Sequence, residues 1–356
     1  MNWLLPFMPV AIALEHLAPQ QHLLIFVTSG LAILPLAAWM GWATERLSER
    51  LGEGMGGLLN ATFGNAAELI IALAALRQGL YDVVKASIVG SIVGNILLVL
   101  GAAMMAGGLR HREQSFNPQG ASAQATMLML AAITLILPAA YSAALGPQAV
   151  QGLVPLSISI SIVLLLVYGL FLTFSLVTHA ALFTRARAAG EDNSQPSSSS
   201  PRRAALVLAA STAAIAWMSE ILVGSIQPAA RSLGLNSAFV GVFVVAILGN
   251  AAEHATAVTV AMKNRMDLAL GIAIGSSVQV ALFVAPVLVL ASLILGPHPM
   301  DLAFPVGLVL IMLLAVLITG QVAADGRANW LKGLQLLAVY LVLGLTFFFM
   351  PGALGR

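Results

Sequence analysis

The chain has 356 residues, of which 60 % are hydrophobic and 8 % are charged, and its formal net charge is +2. A soluble domain of this length would carry too little surface charge to stay in water, so the composition indicates an all-α polytopic membrane protein. The small net charge does not suggest nucleic-acid binding. The absence of Cys excludes disulfides, thiol nucleophiles and thiolate metal sites.

Apolar runs separated by Gly, Pro or charged residues predict about eleven membrane-spanning helices. In chain order they cover residues 3–18, 22–44, 54–77, 82–108, 121–145, 149–179, 204–226, 237–262, 267–296, 301–322 and 329–350. The N-terminus lacks a basic segment and therefore indicates a first span and not a cleaved signal peptide. Residues 181–203 are polar and Ser-rich, a composition that predicts a mobile connector.

The pentapeptide Gly-Asn-Ala-Ala-Glu occurs twice, at Gly64–Glu68 and Gly249–Glu253, and each copy lies within a predicted span. Aligned without gaps at an offset of 185, residues 64–94 and 249–279 share ten identical positions. A carboxylate in the middle of a membrane helix costs about 2.5–3.5 kcal/mol on insertion scales. Two such carboxylates placed by internal duplication therefore indicate a transporter built from repeats.

The two motifs lie on the third and eighth spans, so the two copies cross the membrane in opposite directions. We expect an N-terminal helix (1–20), a first five-helix repeat (21–180), the connector (181–203) and a second, inverted repeat (204–356). The motifs should meet near the midplane of the membrane. Twelve Lys and Arg residues fall in the loops after even-numbered spans, against four on the other side. This asymmetry predicts a cytoplasmic N-terminus and an external C-terminus.

Small and polar residues accompany the two glutamates at helical spacing. Gly64 and Asn65 share a face with Glu68, and Gly249 and Asn250 share one with Glu253. The two glycines can loosen their helices and turn backbone carbonyls towards an ion. The following spans add hydroxyl and amide groups, which are Ser91 and Asn95 in the first repeat and Ser276 and Gln279 in the second.

Carboxylate, amide and hydroxyl oxygens form a hard ligand set that suits Ca²⁺, whereas Mg²⁺ requires stricter octahedral geometry. Zn²⁺ is disfavoured because His254 is the one candidate imidazole near the motifs. Two ionised glutamates neutralise one divalent cation. Without the cation they would repel each other in a low-dielectric site and would bind protons instead. Competition between Ca²⁺ and protons for the same carboxylates is the minimal requirement for an antiporter, and no cofactor is needed.

The segment Gly56–Ile70 resembles the first signature of the Ca²⁺/H⁺ antiporter (CAX) family, part of the calcium/cation antiporter superfamily. Gly249–His254 together with Lys263–Gln279 resembles the second signature. The resemblance covers essentially the whole chain. It implies that Glu68 and Glu253 bind the exchanged ions, that Asn65, Asn250, Ser91, Ser276 and Gln279 line the site, and that spans two and seven slide as a gating bundle. The connector has only two acidic residues, so regulation by an acidic helix is not expected.

Several interpretations remain open at this level. Asn65 and Asn250 could simply hydrogen-bond neighbouring helices, and His254 could relay protons or only satisfy the adjacent polar network. Glu220 has a possible counterpart in Glu45, and the pair could line the cytoplasmic entrance to the site. A Na⁺/Ca²⁺ exchanger and, less favoured, a cation channel are the alternative functions; an enzyme is not expected. The predicted partners are Ca²⁺ and protons as substrates and the lipid bilayer, and nucleic acids are not expected as partners. The sequence does not define the oligomeric state.

Overall fold

A computed structural model describes residues 2–180, 200–235 and 239–349. The α-helices are α1 (Phe7–Leu17), α2 (His22–Phe63), α3 (Ala66–Arg77), α4 (Tyr81–Val93), α5 (Leu100–His111), α6 (Pro118–Leu145), α7 (Val150–Thr173), α8 (Pro201–Ser232), α9 (Ala246–Met262), α10 (Met266–Gln279), α11 (Ala285–Leu295), α12 (Val306–Ala323) and α13 (Trp330–Phe349). Two short strands, β1 (Glu113–Ser115) and β2 (Arg327–Asn329), pair in antiparallel fashion.

Short π-helical and 3₁₀ segments extend or connect these helices. The π segments are Gly94–Val99, Phe174–Thr178, Val240–Val245 and Val280–Val284, and the 3₁₀ turns are Asn2–Leu4 and Gly146–Ala149. Two of the π segments join α4 to α5 and α10 to α11, at matching places in the two halves of the chain. Single-turn π segments within membrane helices often occur at functional sites.

Each of the eleven predicted spans contains helix among the described residues, and the predicted architecture of one extra helix and two inverted five-helix repeats is confirmed. Among the described residues, seven helical stretches are long and apolar enough to cross a membrane, or eight if one bent pair is included. That number is below eleven because Pro118–Thr178 contains two successive helices and because α1 and α3 are short. Most of the connector (181–203) lies outside the described residues.

The helix boundaries correct the prediction around the first motif. The expected interruption between spans two and three is absent, because α2 is continuous for 42 residues from His22 to Phe63. The chain instead breaks at Gly64 and Asn65, inside what was predicted to be one helix. In the second repeat the axis bends by 66° between Val240–Ala251 and Glu253–Met262. Both motif helices are therefore interrupted close to their glutamates.

The two repeats pack against each other in a reciprocal manner. α3 of the first repeat contacts α11 of the second, and α9 of the second contacts α5 of the first. The pairs α4–α12 and α10–α6 are related in the same way, while α6 packs on its own counterpart α12. α2 lies antiparallel to its counterpart α8, with Met40 near Thr212 and Gly30 near Leu222. This reciprocity is the pattern expected of inverted repeats.

Two loops, neither predicted from the sequence, each cover a turn of the opposite repeat. The chain around β1 covers the α9–α10 turn, where Gln114 Nε2 donates to Ala261 O at 2.8 Å and Asn117 N donates to Asp267 Oδ1 at 2.6 Å. Residues 296–305 cover the α3–α4 turn, where buried Lys85 pairs with Asp301 at 2.7 Å. The covered turns are themselves equivalent, since Gly79 and Asn264, 185 positions apart, both have positive φ.

The loop between α12 and α13 is fixed by one lysine. Lys332 Nζ contacts both carboxylate oxygens of Asp325, at 2.6 and 2.7 Å, and also donates to Val322 O and Arg327 O. The hydrogen bond from Lys332 lowers the pKa of the Asp325 carboxyl below its ordinary value. The contacts at Val322 and Arg327 satisfy carbonyls near the end of α12, where a cation is also favoured by the helix dipole.

Candidate ion-binding site

Glu68 lies where the first motif helix restarts. Asn65 is the residue before α3, and Glu68 is in its first turn, where unpaired backbone N–H groups favour a negative charge. The side chain is buried. Its Oε1 accepts a hydrogen bond from Ser91 Oγ at 2.6 Å and another from Asn250 Nδ2. Glu68 is therefore held by one residue of its own repeat and by the asparagine of the second motif.

The second motif approaches Glu68 closely because residue 249 is a glycine. A Cβ atom at Gly249 would lie 2.9 Å from Glu68 Cγ, well inside van der Waals contact. Gly64 lies in a similar place in the first repeat, where an added Cβ would be 3.3 Å from Gln279 Oε1. Each motif glycine thus leaves room for a polar side chain of the opposite repeat, a use of small residues that is typical of membrane helices.

The other half of the site is a chain of hydrogen bonds between amides and a hydroxyl. Asn65 Nδ2 donates to Gln279 Oε1, and Asn65 Oδ1 accepts from Ser276 Oγ at 2.8 Å. Asn95 Nδ2 donates to Ser276 Oγ at 3.1 Å, and Asn95 Oδ1 lies 3.2 Å from His254 Nε2. The chain runs from His254 to Gln279 and crosses between the repeats at each step.

Glu253 lies beside this chain and close enough to Glu68 for the two carboxylates to interact electrostatically. One oxygen of each glutamate, Oε2 in both cases, is buried and has no hydrogen-bond partner among the described residues, and the same is true of Gln279 Nε2. Buried polar atoms without partners are rare in folded proteins and commonly mark a place for water, an ion or a proton. The arrangement can therefore accept either a cation, through the two free oxygens, or protons on the carboxylates.

A cleft with an empty volume of about 320 Å³ leads to Glu68. Its lining comes from both repeats and consists of Glu68, Ile71, Ala72, Ser87, Ile88, Ser91, Val245, Ala246, Val280 and Val284. Ser87 precedes Ser91 by one turn of α4, and Ile71 and Ala72 follow Glu68 on α3. The cleft therefore extends from Glu68 towards the α3–α4 turn.

The polar lining is not symmetric. At the 185-residue offset, His254, Gln279 and Asn95 correspond to Leu69, Gly94 and Val280. All three polar residues contribute to the chain beside Glu253, whereas the apolar counterpart Val280 lines the cleft beside Glu68. The side-chain oxygen and nitrogen of Asn95 are both engaged by protein partners, so this residue supports the site and does not present a free oxygen to it.

Most of the residues selected from the sequence come together in the structure. The assembled set is Glu68, Glu253, Asn65, Asn250, Gly64, Gly249, Ser91, Ser276, Gln279, Asn95 and His254.

Glu45 and Glu220 do not join this set, and they do not share an entrance. Given the antiparallel pairing of α2 and α8, Glu45 lies opposite residues near 207, about 20 Å along the helix from Glu220 at 1.5 Å per residue. The prediction that they line the same cytoplasmic entrance is therefore wrong. Inversion of the repeats explains this result, because equivalent positions in inverted repeats fall on opposite faces of the membrane. Glu45 is exposed, and Glu220 is paired with Arg77.

Sequence reasoning missed Arg77 and Gln78, the partners of Glu220, and Asp301, the partner of Lys85. The available signal was weak. Arg77 is a single cation at the end of an apolar helix, and Lys85 is a single cation inside one. Neither residue type indicates its partner, because both partners come from the opposite repeat.

Comparison with known proteins places the chain in a family. The model of the sodium/calcium exchanger protein family matches residues 21–177 and 203–349. The chain is 47 % identical to a Ca²⁺/H⁺ antiporter of Aphanothece halophytica, with 98 % of this chain and 96 % of that protein covered. It is 42 % identical to the Ca²⁺/H⁺ antiporter ChaA of Bacillus subtilis, with 92 % of each covered.

Solved structures give the same result. The structure of native YfkE is similar with a TM-score of 0.82 and 38 % identity, covering 97 % of this chain and 98 % of that one. The structure of the H⁺/Ca²⁺ exchanger CAX shares the fold, with a TM-score of 0.71 at 14 % identity, covering 99 % and 91 %. The chain therefore belongs to the sodium/calcium exchanger protein family and, within it, to the Ca²⁺/H⁺ antiporters of the CAX type.

Proposed function

We propose that this protein is a secondary active Ca²⁺/H⁺ antiporter that exports cytosolic Ca²⁺ in exchange for protons. One observation carries the proposal: two glutamates from inverted repeats lie at one site, and each has a buried carboxylate oxygen that finds no hydrogen-bond partner among the described residues. The names of the relatives support it, since those with 42–47 % identity are Ca²⁺/H⁺ antiporters.

The exchange follows from charge. Ca²⁺ bound between Glu68 and Glu253 is neutralised by the two carboxylates and completes its coordination with oxygens such as those of the neighbouring amides and hydroxyls. When Ca²⁺ leaves, two anions in a low-dielectric site repel each other, and protonation removes that repulsion. Ca²⁺ and protons therefore bind in alternation, which couples their movements. We infer that His254 takes part in proton movement at the site, since its Nε2 lies 3.2 Å from Asn95 Oδ1 beside Glu253.

Transport requires that the site open to one face of the membrane at a time. We infer that α2 and α8 move together against the remaining helices, since they pack against each other and contact both motif helices, α9 and α3. The two repeats, 21–180 and 204–356, supply equivalent halves of this mechanism. If each repeat took up the conformation of the other, the cleft would open at the opposite face of the membrane.

The distribution of basic residues supports a cytoplasmic N-terminus and an external C-terminus. With this orientation the α3–α4 turn, towards which the cleft extends, is external. We assign the protein to the cytoplasmic membrane because its loops are short, although relatives from vacuolar membranes also match.

Flux in everted membrane vesicles tests the proposal. An imposed pH gradient, acidic inside, should drive ⁴⁵Ca²⁺ uptake in the absence of Na⁺, and added Ca²⁺ should release protons that a pH dye detects. A strict requirement for Na⁺ would support the Na⁺/Ca²⁺ exchanger instead. Ca²⁺ flux that leaves the pH dye unchanged would indicate a channel.

A further inference from the structure

Among the described residues, one ion pair joins the helices α2 and α8, which pack together, to a motif helix. It lies on the face towards which the cleft extends. Arg77 Nη1, at the end of α3, contacts Glu220 Oε1 of α8 at 2.9 Å. Gln78 Nε2 contacts Glu220 Oε2 at 3.2 Å and the Glu220 carbonyl at 3.4 Å. Both carboxylate oxygens of Glu220 are thus held by consecutive residues of the first repeat.

The position equivalent to the Arg77–Glu220 contact, on the opposite face of the molecule, has no such ion pair among the described residues. At the 185-residue offset, Arg77 and Gln78 correspond to Met262 and Lys263. Met262 carries no charge, and Lys263 is exposed and forms no ion pair with any described residue. Glu45, the sequence counterpart of Glu220, is likewise exposed. The two faces of the molecule therefore differ in this contact, although their helices are equivalent.

We propose that Arg77, Gln78 and Glu220 form a latch that stabilises the state with the cleft open towards the α3–α4 turn, relative to the inverted state. The inference rests on the alternating access of the proposed function. Movement of α8 against α3 must separate Arg77 from Glu220, so the pair contributes to one state only. Arg77 and Glu220 are positioning residues, because they touch neither ion and act through the population of a conformation.

The expected size of the effect is modest. The side chains of Arg77 and Glu220 are 61 % and 38 % exposed, and exposed ion pairs between elements are weak because water and salt screen them. A contribution of this size changes the ratio of the two states by about two- to five-fold. That change is large enough to measure by chemical labelling and small enough to leave both states accessible during transport.

The natural absence of Cys provides the assay. A single cysteine at Ser87 in the cleft reports the present state, and a single cysteine at the equivalent Ile272 reports the inverted state. The rate of maleimide labelling is measured for each reporter in purified protein, alone and combined with Arg77→Met, which installs the residue found at the equivalent position 262. Lys263→Met is the matched control, since it removes a cation that makes no ion pair within the described part of the chain.

Arg77→Met should lower the labelling rate at the Ser87 reporter and raise it at the Ile272 reporter, so that the ratio of the two rates changes by about two- to five-fold. Glu220→Gln should give the same opposed shifts. The double variant Arg77→Glu with Glu220→Arg can form the ion pair again and should restore labelling rates close to those of the original protein. Lys263→Met should produce no shift towards the inverted state.

Equal rates with and without Arg77→Met, or parallel increases at both reporters, would overturn the latch, because parallel increases indicate general loosening. If Arg77→Met does not fold, the Glu220→Gln variant decides by the same criteria. Failure of the latch is separable from failure of the proposed function, since labelling does not depend on Ca²⁺ or proton transport, whereas vesicle flux does.

Discussion

Glu68 has one carboxylate oxygen held by hydrogen bonds, and both glutamates of the site have one that is buried without a partner among the described residues. This division matters because a fully satisfied carboxylate would gain little from binding a cation or a proton. Glu68 is held in position through Oε1, so its Oε2 is presented to the site without a need to reorganise other bonds. The motif Gly-Asn-Ala-Ala-Glu thus supplies space, an amide and a free carboxylate oxygen within five residues.

Replacing either glutamate by glutamine should abolish exchange. Glu68→Gln or Glu253→Gln preserves size but removes the charge that attracts Ca²⁺ and the group that takes up a proton, so we expect coupled flux in vesicles to fall below about 1 % of normal. Glu113→Gln, which changes an exposed carboxylate paired with Arg327, is the control and should transport normally. Near-normal flux in either site variant would remove that residue from the coupling mechanism.

A methyl group at position 249 should weaken Ca²⁺ binding. In Gly249→Ala the new Cβ lies 2.9 Å from Glu68 Cγ, so the Glu68 side chain must shift away from Asn250. Overpacking costs about 1–3 kcal/mol, which corresponds to roughly a five- to hundred-fold increase in the Kd for ⁴⁵Ca²⁺. Gly271→Ala on α10 is the matched control, because an added Cβ there meets no atom within 4 Å. Equal Kd values for the two variants would show that residue 249 need not be small.

At the level of elements, hydrophobic runs located every span, but they did not locate the interruption of the first motif helix. Gly64 was expected to loosen the helix, whereas the gap between the predicted spans 22–44 and 54–77 implied a break before the motif. The structure has the reverse, with a continuous α2 and a break at the motif. Charge alternation in an interfacial helix end resembles a loop in composition, so composition alone could not distinguish them.

The loops that cover the α3–α4 and α9–α10 turns were also beyond the reach of the sequence. Their contacts join residues more than 140 positions apart, such as Lys85 with Asp301 and Gln114 with Ala261. Periodicity and turn chemistry describe neighbours along the chain and carry no information about such pairs. The assembled ion site was predictable in contrast, because duplication itself indicated which two segments should meet.

The packing of α4 on the π segment Val240–Val245 depends on Gly90. A Cβ at Gly90 would overlap the backbone of Val242, which cannot move aside without displacing the second motif helix. Gly90→Ala should therefore lower the Tm in detergent by several degrees, consistent with overpacking of about 1–3 kcal/mol, and reduce the yield of folded protein. The control is Gly94→Ala, four residues along the same span, where an added Cβ meets nothing within 4 Å. The prediction fails if both variants melt at the wild-type temperature.

At the level of the whole molecule, two halves of opposite orientation build one site from residues of both. Asn250 of the second repeat donates to Glu68 of the first, and Ser276 of the second donates to Asn65 of the first. Neither half can therefore form a complete site alone. The latch between Arg77 and Glu220 has the same character, since a side chain of each repeat is needed.

This division predicts that a chain interrupted between residues 180 and 200 still transports. The two repeats are joined by reciprocal helix packing and by the buried pair Lys85–Asp301, so association does not depend on covalent continuity there. Co-expressed fragments ending and beginning in that interval should co-purify and give Ca²⁺/H⁺ exchange within about two-fold of the intact protein, scaled to the amount of complex. Each fragment alone should give none, because Glu68 would lack Asn250 and Asn65 would lack Ser276.

Copurified fragments without exchange would mean that the connector itself takes part in transport. Exchange by a single fragment would contradict a site shared between repeats.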